Sequence, residues 1–192
     1  MRISGGQARG VTLQVPKGDS VRPATDGLRQ AVFSSLAARV PGSVFLDLFA
    51  GSGAYGLEAL SRGATGGTFV EKNAKTVSCL RRNIESVCKS LRCDENGLQV
   101  LQGDVLDWTL GAVESAPDLV FVDPPYDLIE TVAPKIFHRL STLQSPERDP
   151  IVVFEMPGEL TLQPEGWRAV KRLGGGMRQP SAVFFRTSQA ST

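Results

Sequence analysis

Apolar positions along the chain follow two alternating rhythms. Short runs of β-formers read as strands: "VFLDLFA" at 44–50, "GGTFVE" at 66–71, "LQVLQGD" at 98–104, "DLVFVD" at 118–123 and "PIVVFEM" at 150–156. The first is apolar almost throughout, as a strand covered on both faces must be, and so predicts a parallel setting. Between these runs the period becomes helical. Leu28, Ala31, Val32 and Leu36 share one face over roughly 26–40, with Thr25 or Asp26 as the cap. "GSGAYGLEALSRG" reads as a glycine-rich turn entering a helix that stops at Gly63. Val77, Leu80, Ile84, Val87 and Leu91 predict an amphipathic helix over 74–91. "TVAPKIFHRL" reads as helix with a kink or restart at Pro134. "WRAVKRL" and "SAVFFRT" predict an antiparallel pair that closes the sheet around the "GGGMRQP" loop. At the N-terminus, "RIS" and "VTLQV" flank "GGQARG" and predict a small β-hairpin within about residues 1–20.

Strands alternating with helices predict an α/β fold, a mostly parallel sheet with helices on both faces. The pattern has no internal repeat and no linker. It predicts one domain over 1–187 and a disordered tail at 188–192. A length of 192 residues suits one core, and 41% apolar with 21% charged residues is ordinary for a globular chain.

Charge changes the picture more. The net charge of +1 hides basic ends. Residues 1–39 carry six Lys or Arg against two acids, and 157–192 carry five against two. A polyanionic partner follows as a possibility, with Arg2, Arg9, Lys17 and Arg22 as the candidate phosphate contacts. Cys79, Cys88 and Cys93 have no paired spacing, which argues against a disulfide framework or a metal site and suits a reducing cytoplasm. No run of 18 apolar residues and no apolar signal core occur, so neither secretion nor membrane insertion is expected.

The candidate chemistry lies at two strand ends. In "DLFAGSGAYG", Gly51, Gly53 and Gly56 satisfy G-x-G-x-x-G after a strand, which brings backbone and a helix N-terminus close to a ligand. Glu71 ends the next strand 20 residues later, where a carboxylate can accept both ribose hydroxyls. A dinucleotide and S-adenosylmethionine (SAM) both satisfy this pattern. Asp47 sits inside an apolar run, and an unpaired buried carboxylate is costly. It either orders the glycine turn or meets a positively charged amino group through water. Asp104, at the end of the third strand, suits an adenine amine or a helix cap.

"DPPY" at 123–126 ends the fourth strand. A methyl donor gives it a purpose. Exocyclic base amines are poor nucleophiles because the nitrogen lone pair is delocalised into the ring. The Asp123 side chain and the Pro124 carbonyl can hold both amine hydrogens and stabilise charge as it develops. Pro125 stiffens the turn and removes a competing donor. Tyr126 offers a face on which a splayed base can stack.

"FVDPPY" with "DLFAGSGAYGLEAL" resembles class I SAM-dependent amino-methyltransferases, the Rossmann-like seven-stranded class. "RISGGQARG", "RPATDGLRQAVFSSL", "LDLFAGSGAYGLEALSRGA" and "FVEKN", in this order, resemble more narrowly the bacterial 16S rRNA guanine-N2 methyltransferases of the RsmD type, closely over about residues 1–126. The resemblance implies a basic N-terminal hairpin, SAM as cofactor, methylation of a guanine N2 in 16S rRNA or a 30S assembly particle, and a monomer. It implies that Asp47, Ala50, Gly51 and Gly53 shape the SAM pocket, that Glu71 binds the ribose and Asp104 the adenine, and that Thr25 and Asp26 close over the methionine end. The block Asp123–Tyr126 would hold the guanine. Three departures stand out: Gly27 and Gln30 replace an Arg and a Glu, and Tyr55 replaces a Leu. Two alternatives remain on sequence alone. Adenine-N6 or cytosine-N4 methylation would use the same "DPPY". A nicotinamide-dependent oxidoreductase would use the same glycines and Glu71, although His138, the sole histidine, falls on a helical pattern as a surface residue.

Overall fold

The computed structural model describes residues 1–15, 26–107, 116–142, 149–176 and 179–188. The expectations for Lys17, Arg22, Thr25 and the tail beyond Ser188 lie outside the described residues. Helix α1 spans Asp26–Ser35, followed by strand β1 (Val44–Leu48), helix α2 (Ala54–Ser61) and strand β2 (Gly66–Glu71). Helix α3 (Ala74–Leu91), strands β3 (Leu98–Gln102) and β4 (Leu119–Val122), and helix α4 (Ile129–Thr142) come next. Strands β5 (Ile151–Pro157), β6 (Trp167–Gly174) and β7 (Pro180–Thr187) complete the described chain.

These strands form one sheet in the order β3-β2-β1-β4-β5-β7-β6. The first five run parallel, and β7 enters antiparallel between β5 and β6. The strand order reverses between β1 and β4, where open α/β sheets offer a crevice at the carboxyl ends of their strands. The fold is the Rossmann-like α/β arrangement that the pattern predicts, with "WRAVKRL" and "SAVFFRT" paired antiparallel as expected.

The core has two layers. On one face Phe45, Phe69, Phe121, Val153 and Phe184 pack with Val32, Phe33, Leu57 and Leu80 from α1, α2 and α3. On the other, Leu46, Leu48, Val120, Val122, Val152 and Phe154 pack with Ile136, Phe137 and Leu140 of α4. Alternation along each strand divides the two sets.

Three local expectations change. α1 ends at Ser35, and residues 36–40 continue as turns whose buried Leu36 and Val40 prolong the apolar pattern. α4 runs unbroken through Pro134, which lies exposed in its second turn, so the helix does not restart there. Residues 1–15 fold back antiparallel but share only one ladder bridge, Arg2 with Thr12. Ile3, Ala8 and Leu13 are instead buried in the core beside α1 and α2. The small hairpin, closed by the Ile3 N–H on the Val11 carbonyl at 2.9 Å and the Leu13 N–H on the Met1 carbonyl at 3.0 Å, thus lies as a strap over the helices. No helix among the described residues is long and apolar enough to cross a membrane.

Candidate active site

The glycine turn lies between β1 and α2. Gly51 and Gly53 have φ of 55° and 81°, the left-handed region where a side chain is disfavoured. Phe49, at φ 59°, adopts the same region with a full side chain, which stores backbone strain at the mouth of the turn. Gly56 serves packing: a Cβ there would meet Phe69 at 2.4 Å and Phe45 at 2.6 Å. A Cβ on Gly51 would meet nothing closer than the Phe49 carbonyl at 3.8 Å, so the space over that residue is open. Ala50 is buried, and its N–H donates to the Val70 carbonyl at 3.0 Å, tying the turn to β2.

Acids hold this turn in shape. The Gly51 N–H donates to Glu71 Oε2 at 3.0 Å, and the Asn73 N–H donates to Oε1 at 2.8 Å. The Gly56 N–H donates to Asp47 Oδ2 at 2.9 Å. Asp47 is 2% exposed, and burial pushes its carboxyl up to about 8, with the Glu71 charge adding to the rise and the Gly56 bond opposing it. Of the two roles open for Asp47, ordering the turn is the one visible. Asp104 Oδ2 pairs with Lys72 Nζ at 2.8 Å, and Oδ1 accepts the Leu106 N–H at 2.9 Å. These contacts, Lys72 first, hold its carboxyl below the ordinary range.

"DPPY" leaves the adjacent strand. The Asp123 N–H reaches toward the Leu48 carbonyl at 3.5 Å, so this turn starts beside the end of β1, where the glycine turn begins. Asp123 is half-buried, Pro124 buried and Pro125 exposed. Tyr126 opens a short 3-10 turn, Tyr126–Leu128, and packs partly against the α4-side core.

Sequence reasoning singled out Tyr55 but not Glu155, the acid beside Asp123. β4 and β5 pair with Val122 opposite Phe154, so one step further sets Asp123 beside Glu155. Glu155 is 4% exposed, and its Oε2 accepts the Tyr55 hydroxyl at 2.8 Å. The Tyr55 ring stacks on Phe121 at 5.2 Å. Burial holds the Asp123 carboxyl well above its usual range, and the Glu155 and Asp47 charges raise it further. Burial likewise raises Glu155, opposed by the Tyr55 bond and by Arg29. The available signal for Glu155 was the one used for Asp47: an acid inside an apolar run, "VVFEMP".

Arg29 is wholly buried in α1. Its Nη2 donates to the Arg2 carbonyl at 2.7 Å and to Asp26 Oδ1 at 2.9 Å, and its Nε lies 3.5 Å from Glu58 Oε2. Asp26 is therefore held by Arg29 at the start of α1. Glu58, fully buried in α2, accepts the Ser4 N–H and hydroxyl, both at 2.8 Å, and Arg62 Nε at 2.8 Å. Arg2 and Arg9 are exposed on the strap, and His138 is exposed on α4. A cleft lined by Val44, Thr65, Gly66 and Gln99 opens at the amino ends of the strands, away from all these groups.

Comparison with known proteins now has a geometry to attach to. The family described as "Conserved hypothetical protein 95" matches residues 1–180. Ribosomal RNA small subunit methyltransferase D of Escherichia coli K12 is 37% identical over 126 residues, which cover 66% of this chain and 60% of that protein. YlbH of Bacillus subtilis strain 168, provisionally named an rRNA methyltransferase, is 31% identical over 164 residues, 84% of this chain and 85% of that one. Among solved structures, yhhF of Escherichia coli, provisionally assigned as a methyltransferase, matches with TM-score 0.77 and 28% identity over 97% of both chains. TrmN of Thermus thermophilus, at 22% identity, TM-score 0.65 and coverage of 83% of this chain and 48% of that one, shares the fold. The glycine turn, the "DPPY" edge and the strap thus sit in a chain that belongs to the conserved hypothetical protein 95 family, the RsmD family of methyltransferases.

Proposed function

We propose that the protein transfers a methyl group from SAM to the exocyclic N2 amine of a guanine in small-subunit rRNA. The observation that carries this reading is the adjacency of two turns: "DPPY" leaves β4 beside the point where β1 enters the glycine turn. The named activity of the Escherichia coli relative supports rRNA as the substrate, and this chain spans 60% of that relative's length. Membership of a methyltransferase family displaces the nicotinamide reading.

The residues suit SAM. Open space over Gly51 admits a ligand against the backbone. Glu71 already accepts two N–H groups, and a carboxylate's remaining lone pairs can take the ribose hydroxyls. Asp104 is the group we assign to the adenine end, and Asp26 at the start of α1 the one we assign to the methionine end. When bound, SAM supplies an electrophilic methyl group. The protein's share is to hold the acceptor. Asp123 and the Pro124 carbonyl accept the two amine hydrogens, which draws the nitrogen lone pair out of the ring and stabilises its developing positive charge. Tyr126 stacks the splayed base. Burial first, then the neighbouring Glu155 and Asp47 charges, raise the proton affinity of Asp123, so in its deprotonated form it is the acceptor on the amine that can take the proton released on methylation.

The test is labelled-methyl transfer to rRNA from cells lacking this enzyme, followed by mapping of the modified nucleotide. Label on a guanine N2 of small-subunit rRNA is the expected result. Label on an adenine or cytosine amine, or none, would overturn the reading.

A further inference from the structure

The strongest charge feature of the molecule lies on α3. Residues 72–92 hold six Lys or Arg against Glu85 alone, and residues 1–15 add Arg2 and Arg9 with no acid, in a chain whose net charge is +1. The positive charge is therefore segregated, whereas an ordinary solvated helix face mixes signs. Its arrangement is regular. Lys75, Arg82 and Lys89 recur every seven residues, about 10 Å apart along one line of the helix. All three are exposed, as is Arg81 beside them, while Val77, Leu80, Ile84 and Val87 bury the opposite face. Ser78 and Ser86, small and uncharged, fill the outer face between the cations.

Two contacts tie this line to the rest of the site. Arg82 Nε donates to Gln14 Oε1 at 3.0 Å, so the strap carrying Arg2 and Arg9 ends against the middle of the line. Asn73 caps α3 with its side chain on the Lys75 and Thr76 N–H groups, directly after Glu71. The line therefore starts at the edge that carries the glycine turn and runs away from it along roughly 25 Å of helix.

We infer that the outer face of α3, with the strap, is a track for the RNA phosphate backbone, in which Lys75, Arg81, Arg82 and Lys89 make the phosphate contacts. This rests on the rRNA reading above and adds where the RNA lies. Cations spaced at regular intervals bind backbone charge without reading sequence.

The experiment measures rRNA binding by the full chain as a function of salt. A K75Q/R81Q/R82Q/K89Q variant should flatten the slope of log K against log salt by about 3, at roughly 0.7 per lost contact with single-stranded RNA. It should keep wild-type SAM binding and melting temperature, and raise KM for rRNA while sparing kcat. E85K, which extends the line, should steepen the slope by about 0.7. K135Q, on α4 across the sheet, should leave it unchanged. A wild-type slope in the fourfold variant, or an equal loss in K135Q, overturns the track. Binding of phosphatidylserine vesicles in place of rRNA also overturns it. A wild-type protein that binds rRNA but methylates no guanine would refute the function reading and leave the track standing. One that binds no rRNA refutes both.

Discussion

The two faces of the sheet are built from different materials. Toward α4 the contacts are almost purely apolar, and Phe137 packs against Phe154, Phe185 and Trp167. Toward α1–α3 the core also encloses Arg29, Asp47, Glu58, Asn83 and Glu155, each at most 4% exposed. Buried charge costs stability unless it is paired and bonded, and most of these groups are. The polar face is thus where the fold spends stability on placing groups, and the apolar face is the support that lets it do so.

This contrast can be broken by truncation on either side. Phe137→Ala should cost about 3–5 kcal/mol in denaturant unfolding, with activity per folded molecule intact. Glu58→Ala should cost about as much, since it strips buried Arg29 of one of its two carboxylates and Ser4 and Arg62 of their acceptor, but should also loosen the strap, read as faster hydrogen exchange at Ser4 and Ala8. Asp123→Ala sharpens the contrast. Turnover should fall at least about 100-fold while the SAM dissociation constant and the melting temperature hardly move.

The pH dependence of stability separates the faces further. The Asp47 carboxyl is raised from its ordinary 3.8 to about 8, so the folded state binds a proton that the unfolded state releases. Its contribution to stability therefore falls as pH rises across that interval. Asp47→Asn keeps an oxygen for the Gly56 N–H and should flatten the decline, with the variant gaining on the wild type toward pH 8 in parallel urea titrations. The smallest effect is expected of Tyr55→Phe. It removes one bond to Glu155 but keeps the stack on Phe121, and should cost about 1–2 kcal/mol.

The sheet and α3 were legible because each depends on nearby residues: short apolar runs for the strands, and five apolar residues at helical spacing for the helix. α1 was read five residues too long, because Leu36 and Val40 are buried by tertiary packing after the helical hydrogen bonds have stopped. The glycine turn and "DPPY" were legible as local motifs. Glu71 and Asp47 were legible as acids at strand positions where a carboxylate needs a partner, and their visible bonds go to the backbone N–H groups of Gly51, Asn73 and Gly56. Tyr55 and Glu155 are 100 residues apart, and Ser4 and Glu58 are 54 apart. No local pattern announces such pairs, and only the closed sheet brings them into contact.

The strap has a consequence for synthesis. It is made before its seat: Ala8 bonds to Ser61, 53 residues on, and Gln14 to Asn83, 69 residues on. At roughly 5–20 residues per second, those anchors emerge some seconds after the segment they receive. Asn83 Nδ2 donates to both the Gln14 and the Ser52 carbonyls at 2.9 Å, so the latch that seats the strap also fastens the glycine turn. A nascent chain halted before that asparagine would carry the strap undocked and the glycine turn unlatched, and both faults would be cured by the same amide.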